Sequence, residues 1–303
     1  MSFNEGVRSD SGRVSSSRGG RTGRGVALGG GGSIIALIAV FLLSQYTGID
    51  LTGLLGQGGS FSESTTTTPG IDLSACTTGR AANERTECRM VTTADSLDIV
   101  WTTQMAGQAP QTHYRAPGFT LFENAVSTGC GNATSATGPF YCPTDASVYL
   151  DLNFFAQMER DFGAENAPLA QEYVVAHEWG HHIQNLMGTF GIHDAHQAGA
   201  DGEGVRMELQ ADCYAGIWMH WASRTIDPDS GVTFLKQPTR AQIDDALKTA
   251  ASIGDDRIQE RYQGRATPDT WTHGAAEQRA RWLMTGLETG SVAACDTFSA
   301  EKL

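Results

Sequence analysis

An α+β domain, with a small sheet packed on one helix and a helical C-terminal part, follows one membrane-spanning helix in the fold class that three patterns predict. Residues 25–49 form an uncharged, largely apolar run; Phe119 to Phe122 and Val148 to Leu152 read as strands; and helical periodicity recurs in the segments between and after them. At 303 residues the chain has room for a membrane segment plus one sizeable domain. Its formal net charge of -13 argues against a nucleic-acid surface.

Taken in order, residues 1–24 carry Arg8, Arg13, Arg18, Arg21 and Arg24 in a Ser/Gly-rich stretch that cannot build a core, so a disordered tail is predicted. The run at 25–49, densest from Ser33 to Leu43, is long enough to cross a bilayer as one helix. No small-x-small cleavage site follows Leu43 closely, which favours a retained anchor over a cleaved signal peptide. Arginines before the run and Asp50 with the acidic bulk after it place the N-terminus in the cytoplasm and the C-terminal domain outside, in the cell membrane of a single-pass protein. Residues 50–70 read as a flexible linker, and the folded domain spans 71–303.

All six cysteines lie on the exported side, in keeping with disulfide chemistry. Six cysteines allow many connectivities. Short loops Cys76–Cys88 and Cys130–Cys142 are the suggested pairs, leaving Cys213 for Cys295, and no C-x-x-C spacing points to a zinc-thiolate cluster instead. A first helix is expected around Asp95 to Met105, with Leu97, Val100, Trp101 and Met105 at near-helical spacing.

The next helix carries the chemistry. Asn166 is its expected cap, Pro168 lies near the first turn, Tyr173, Val174, Val175, Ile183 and Leu186 supply apolar residues, and Gly188 is the stop signal. Within it, His177, Glu178 and His181 form H-E-x-x-H. Residues four apart share a helix face, so both imidazoles reach one metal while Glu178 faces a water bound there. Zinc held this way polarises a carbonyl and acidifies water near neutral pH. The pattern arises by chance in about one per cent of chains this long, so histidines without a metal are the weaker reading.

Two histidines leave a catalytic zinc site one ligand short. Gln184 and Met187 stand where a metzincin has glycine and histidine, which excludes that subclass. A second helix from Arg206 places Glu208 and Asp212 on one face, Glu208 to bind zinc and Asp212 to orient a ligating histidine. His193, Asp194 and His196, in the Gly-rich stretch between the helices, are the rival ligand source and otherwise read as loop residues. His182 reads as a supporting or surface group. Pro238 to Gly254 and Thr272 to Leu287 are further helices, the last carrying Trp282 and Leu283 toward a core.

The segments His177-Glu-Trp-Gly-His-His-Ile-Gln and Glu208-Leu-Gln-Ala-Asp-Cys-Tyr-Ala-Gly resemble the bacterial neutral zinc metallopeptidase family of membrane proteins and, more distantly, thermolysin-like gluzincins. Gly138-Pro-Phe-Tyr-Cys-Pro, Val148-Tyr-Leu-Asp-Leu-Asn-Phe-Phe and Thr272-His-Gly-Ala-Ala-Glu-Gln-Arg extend the similarity nearly to the C-terminus. The resemblance implies a zincin-like domain, zinc ligands His177, His181 and Glu208, and Glu178 as general base. It makes His273 the candidate for stabilising the tetrahedral oxyanion, against a purely structural role, with Tyr262 a weaker choice. An edge strand before the active helix is the expected seat of extended substrate.

Together these readings describe a membrane-anchored, zinc-dependent endopeptidase acting on peptides or proteins, anchored through one N-terminal helix. The alternative is a membrane-tethered scaffold whose zinc site only staples the fold, for which His193 or His196 would supply a fourth ligand. Amide hydrolysis in cell-wall peptides is a rival within the enzyme class. Neither substrate nor oligomeric state is written in the motif.

Overall fold

The computed structural model describes residues 2–18 and 71–303. Helices and small sheets are mixed, as the α+β prediction requires. The strands are β1 (Ser15–Arg18), β2 (Gly118–Glu123), β3 (Ala125–Thr128), β4 (Gly131–Thr134), β5 (Phe140–Cys142) and β6 (Ser147–Asp151). The helices are α1 (Gly79–Glu84), α2 (Thr86–Gln108), α3 (Phe154–Phe162), α4 (Pro168–Met187), α5 (Glu203–Ala222), α6 (Arg240–Ser252), α7 (Asp255–Gln263) and α8 (Ala276–Thr289).

The larger sheet has the order β1-β2-β6-β5. Its first three strands are parallel, and β5 runs antiparallel along β6 at one edge. Strand β6 is buried on both faces at Val148, Tyr149 and Leu150, which explains its near-continuous apolar sequence. A separate hairpin, β3 with β4, is tied to β5 by Cys130–Cys142.

Helix α4 is the central element. Residues Leu169 to Gly180 are all buried, so the helix is enclosed by α2, α5, α6 and the sheet rather than lying on the surface. Pro168 occupies its first turn, where a missing N–H costs nothing, and Gly188 ends it in the left-handed conformation at φ 80. The expected cap is corrected: Ala167 is the N-cap, while the Asn166 side chain accepts from Gln171 and donates to Glu159. The segment from Thr272 contributes a loop first, and α8 starts only at Ala276.

Two glycines set how closely the helices approach. A Cβ on Gly180 of α4 would lie 2.8 Å from the Ala211 carbonyl oxygen of α5, and one on Gly286 of α8 would lie 1.9 Å from the Cys213 carbonyl oxygen. These crossings are therefore backbone against backbone. The suggested cysteine pairs form: Cys76–Cys88 fastens the chain before α1 to α2, and Cys213–Cys295 ties α5 to the C-terminal segment.

Residues 2–18, expected to be part of a disordered tail, are instead packed on the domain. Phe3 and Val7 are fully buried, and β1 extends the sheet. Composition misled here because the arm borrows its core from residues far along the chain. Its Ser2 hydroxyl donates to Glu172 on α4, a wholly buried carboxyl whose Oε2 has no hydrogen-bond partner among the described residues. The anchor expected at 25–49 and the linker at 50–70 lie outside the described residues. Among those described, no helix is long and apolar enough to cross a membrane.

Gly286→Ala should lower stability by about 1–3 kcal/mol through overpacking at the α5–α8 crossing, read as a lower Tm; an unchanged Tm would refute the close approach. Burial pushes the Glu172 carboxyl up to about 8, against the Ser2 hydroxyl and Arg89. Between its ordinary 4.5 and that value the folded state holds more protons than the unfolded, so this group's effect is to reduce stability as pH rises through the window. Wild type should lose Tm relative to Glu172→Gln over that range, and a pH-independent difference would count against the buried, raised carboxyl.

Candidate metal centre

Three side chains from two helices converge. His177 and His181 lie one turn apart on α4, and Glu208 comes from α5 across the contact that Gly180 permits. Glu208 Oε2 is 3.2 Å from His177 Nε2, and Oε1 is 3.4 Å from His181 Nε2. One potential ligand atom from each residue lies within 4.8 Å of the others. Glu178, nearly buried, lines the same cleft, as does His273.

The other ring nitrogens are held in place. Asp212 Oδ1 is 2.8 Å from His177 Nδ1, and Gln184 Oε1 is 2.9 Å from His181 Nδ1. Each arrangement holds a proton on Nδ1, so the nitrogen left to give up its proton to a metal and bind it is Nε2, the one facing Glu208. Asp212 also accepts from the Tyr173 hydroxyl at 2.6 Å and from Arg279 Nε and Nη2 at 2.9 and 3.0 Å. Gln184 is fixed in turn, its amide donating to the Met207 carbonyl and to Gln210.

Two imidazoles and a carboxylate suit zinc, and the Nε2 atoms of both rings face Glu208, where the ion would displace the protons they share with it. Burial opposes the charged form of His177, yet Asp212 and Glu208 raise its pKa to about 10, and Glu208 likewise raises His181 against burial. The two acids thus supply the negative potential that a cation would meet. Glu178 differs: burial raises its carboxyl, favouring the protonated form more than in water. That direction suits a proton acceptor.

His273 sits in the loop before α8, its Nδ1 2.9 Å from the Thr272 hydroxyl and 3.5 Å from Asp255 Oδ1. Asp255 shapes that loop, its Oδ2 accepting from the backbone N–H of Thr272, His273 and Gly274 at 2.7, 2.6 and 3.0 Å. Gly274, at φ 88, permits the turn. Despite burial, contact with His273 holds the Asp255 carboxyl below the usual range.

Of the other candidates, His196 lines the same cleft but contributes no atom to the three converging ligands, and the rest lie elsewhere. His193 stacks on Phe298 at 3.5 Å between ring centres and pairs with Glu203. Asp194 accepts from the His196 backbone, and the exposed Tyr262 donates to the Asp161 carbonyl. His182 is buried with Nε2 donating to the Arg115 carbonyl and Nδ1 accepting from Tyr141 of β5; burial lowers its pKa. It fastens the active helix to the sheet edge.

Four contributors escaped the motif reading: Tyr173, Gln184, Asp255 and Arg279. Gln184 was within reach of helical spacing, three residues after His181. Arg279 lay in the quoted Thr272 segment without a role, and Asp255 had no local signal.

The cleft above the centre has a volume of about 700 Å³. Gly138, Phe140, Tyr141, Phe162, Phe190 and Ile253 line it together with His177, His181 and Glu208. A cleft of mixed apolar and polar lining with three convergent ligand side chains has the form of a metal-binding site open to a ligand.

Comparison with known proteins agrees. The chain belongs to the family described as "putative neutral zinc metallopeptidase", whose pattern matches residues 2–298. An uncharacterized protein of Mycobacterium tuberculosis (strain H37Rv) is 49% identical over 235 residues, covering 78% of each chain. The uncharacterized protein YpfJ of Escherichia coli (strain K12) is 38% identical over 283 residues, covering 91% of this chain and 90% of its own. No solved structure matches.

Asp212→Asn, which weakens the hold on His177, should reduce zinc affinity by about 10–100-fold in competition with a chromophoric chelator. Unchanged affinity would remove Asp212 from the support of the site.

Proposed function

We propose that the chain is a membrane-anchored zinc-dependent peptidase whose zincin-like domain works outside the cytoplasm. The observation that carries the reading is the convergence of His177 Nε2, His181 Nε2 and the Glu208 carboxylate in an open cleft that Glu178 also lines. Zinc bound there would polarise a scissile carbonyl and acidify water. Glu178 accepts the proton of the attacking water and returns it to the leaving amine. His273 donates to the developing oxyanion, with Asp255 and Thr272 setting the loop from which it reaches the cleft.

Peptide or protein is the substrate class. Strand β5 is the candidate seat for an extended chain: it lies at the sheet edge, borders the cleft through Phe140 and Tyr141, and is fixed to α4 by the Tyr141–His182 bond and by Asn185 donating to the same hydroxyl at 2.8 Å. Three disulfides support an oxidising compartment. Membrane attachment, as distinct from a single crossing, rests on the apolar run at 25–49.

The test uses the full chain. Wild type should hold one zinc and cleave a diverse peptide pool in a chelator-sensitive way. Glu178→Gln should keep the zinc and lose cleavage by at least about 100-fold, the scale of general-base catalysis, whereas His177→Ala should lose both. Cleavage by Glu178→Gln at the wild-type rate would sink the mechanism, and zinc in the wild type and Glu178→Gln with no cleavage by either would favour a structural metal.

A further inference from the structure

The N-terminal arm is bonded into the domain along its whole described length. The Asn83 side chain accepts from the backbone N–H of Ser2 and Phe3, both at 3.1 Å, and donates back to the Phe3 carbonyl at 2.9 Å. Asn4 N–H donates to the Phe234 carbonyl, and Lys236 N–H to that of Ser2. Further on, Arg8 N–H donates to Asp227, Asp10 N–H to Asp95, and Arg13 Nε to Asp98 at 2.6 Å. Ser15 to Arg18 then pair in register with Thr120 to Glu123.

These contacts reach the active helix from behind. Ser2 meets Glu172, five residues before His177, and the Arg13 guanidinium lies 5.5 Å above the ring of Trp179, the residue after Glu178. Trp179 Nε1 donates to the Tyr114 hydroxyl, which in turn bonds Asp98, the partner of Arg13. The arm is thus a structural element of the domain, with Phe3, Val7 and Val14 in the core.

A single membrane crossing at 25–49 would part this arm from residues 71–303 and strip all these bonds at once. We propose that residues 2–18 and the domain at 71–303 occupy the same side of the membrane. This replaces the split placement, N-terminus inside and domain outside, that charge bias alone predicts. The reasoning is independent of the peptidase reading, since it uses no metal ligand and no activity.

Thiol labelling tests it. All six native cysteines are paired, so an introduced one supplies the free thiol. Ser15→Cys on the arm and Ala106→Cys on α2, both at exposed positions, are made separately in the full chain. Spheroplasts are treated with a membrane-impermeant maleimide before and after lysis, with denatured samples confirming that each thiol reacts. Labelling of both before lysis, or of both only after it, is the expected result; labelling of one before and the other only after overturns the proposal. A second variant pairs Ser9→Cys with Thr92→Cys, whose native hydroxyls are 2.7 Å apart. An oxidant added to intact membranes should close that bridge, seen as faster migration without reductant, and failure to close it while both thiols remain reactive also overturns the proposal.

Discussion

Asp212 is the constraint on which the site depends. Fully buried, its carboxylate is stabilised only by what it touches: the Tyr173 hydroxyl, His177 Nδ1 and a two-pronged contact from Arg279. Those partners come from α4 and α8, and Asp212 itself from α5, so three helices must dock together before the charge is compensated. Leaving a buried ion without its partner costs about 3–5 kcal/mol, which makes the arrangement cooperative. The same contact that settles the helices also turns His177 toward Glu208. Fold and ligand geometry are one problem here, solved by one carboxylate.

Around this centre, each further side chain is fixed by a neighbour that is itself fixed. Gln184 aims His181 and is held by Met207 and Gln210. His182, one position on, faces away from the ligands and braces β5 through Tyr141. Adjacent histidines on one helix therefore do different work because a helix turns about 100° per residue. Gly180, between the two ligands, lets α5 come near enough for a carboxylate to reach both imidazoles.

The sequence made the chemistry legible wherever the relevant residues were close along the chain. His177, Glu178 and His181 share one turn, Glu208 and Asp212 another, and both patterns survive in the structure as faces turned to each other. The cysteine pairs were equally readable, two from short loops and the last by what remained. Partners joined only by folding were hidden. Arg279 meets Asp212 across 67 positions, and Asp255 meets the His273 backbone across 18. The arm was misjudged for the same reason: a Ser/Gly-rich stretch has no core of its own, and nothing local reveals that Asn83, Asp227 and strand β2 await it. Asn166 looked like a cap because local propensity was the only guide, while Gln171 and Glu159 hold its side chain elsewhere.

The bridge between Cys213 and Cys295, 82 positions apart, closes α6, α7 and the loop bearing His273 into one covalent ring that starts one residue after Asp212. A cut in the exposed stretch at 228–233 would open the ring without freeing either piece, so His273 and Arg279 would stay attached to the helix that carries Glu208. Such a nicked molecule would migrate as two fragments under reducing conditions while remaining one body with its cleft complete, and apparent fragmentation on a gel would not mean loss of the folded protein.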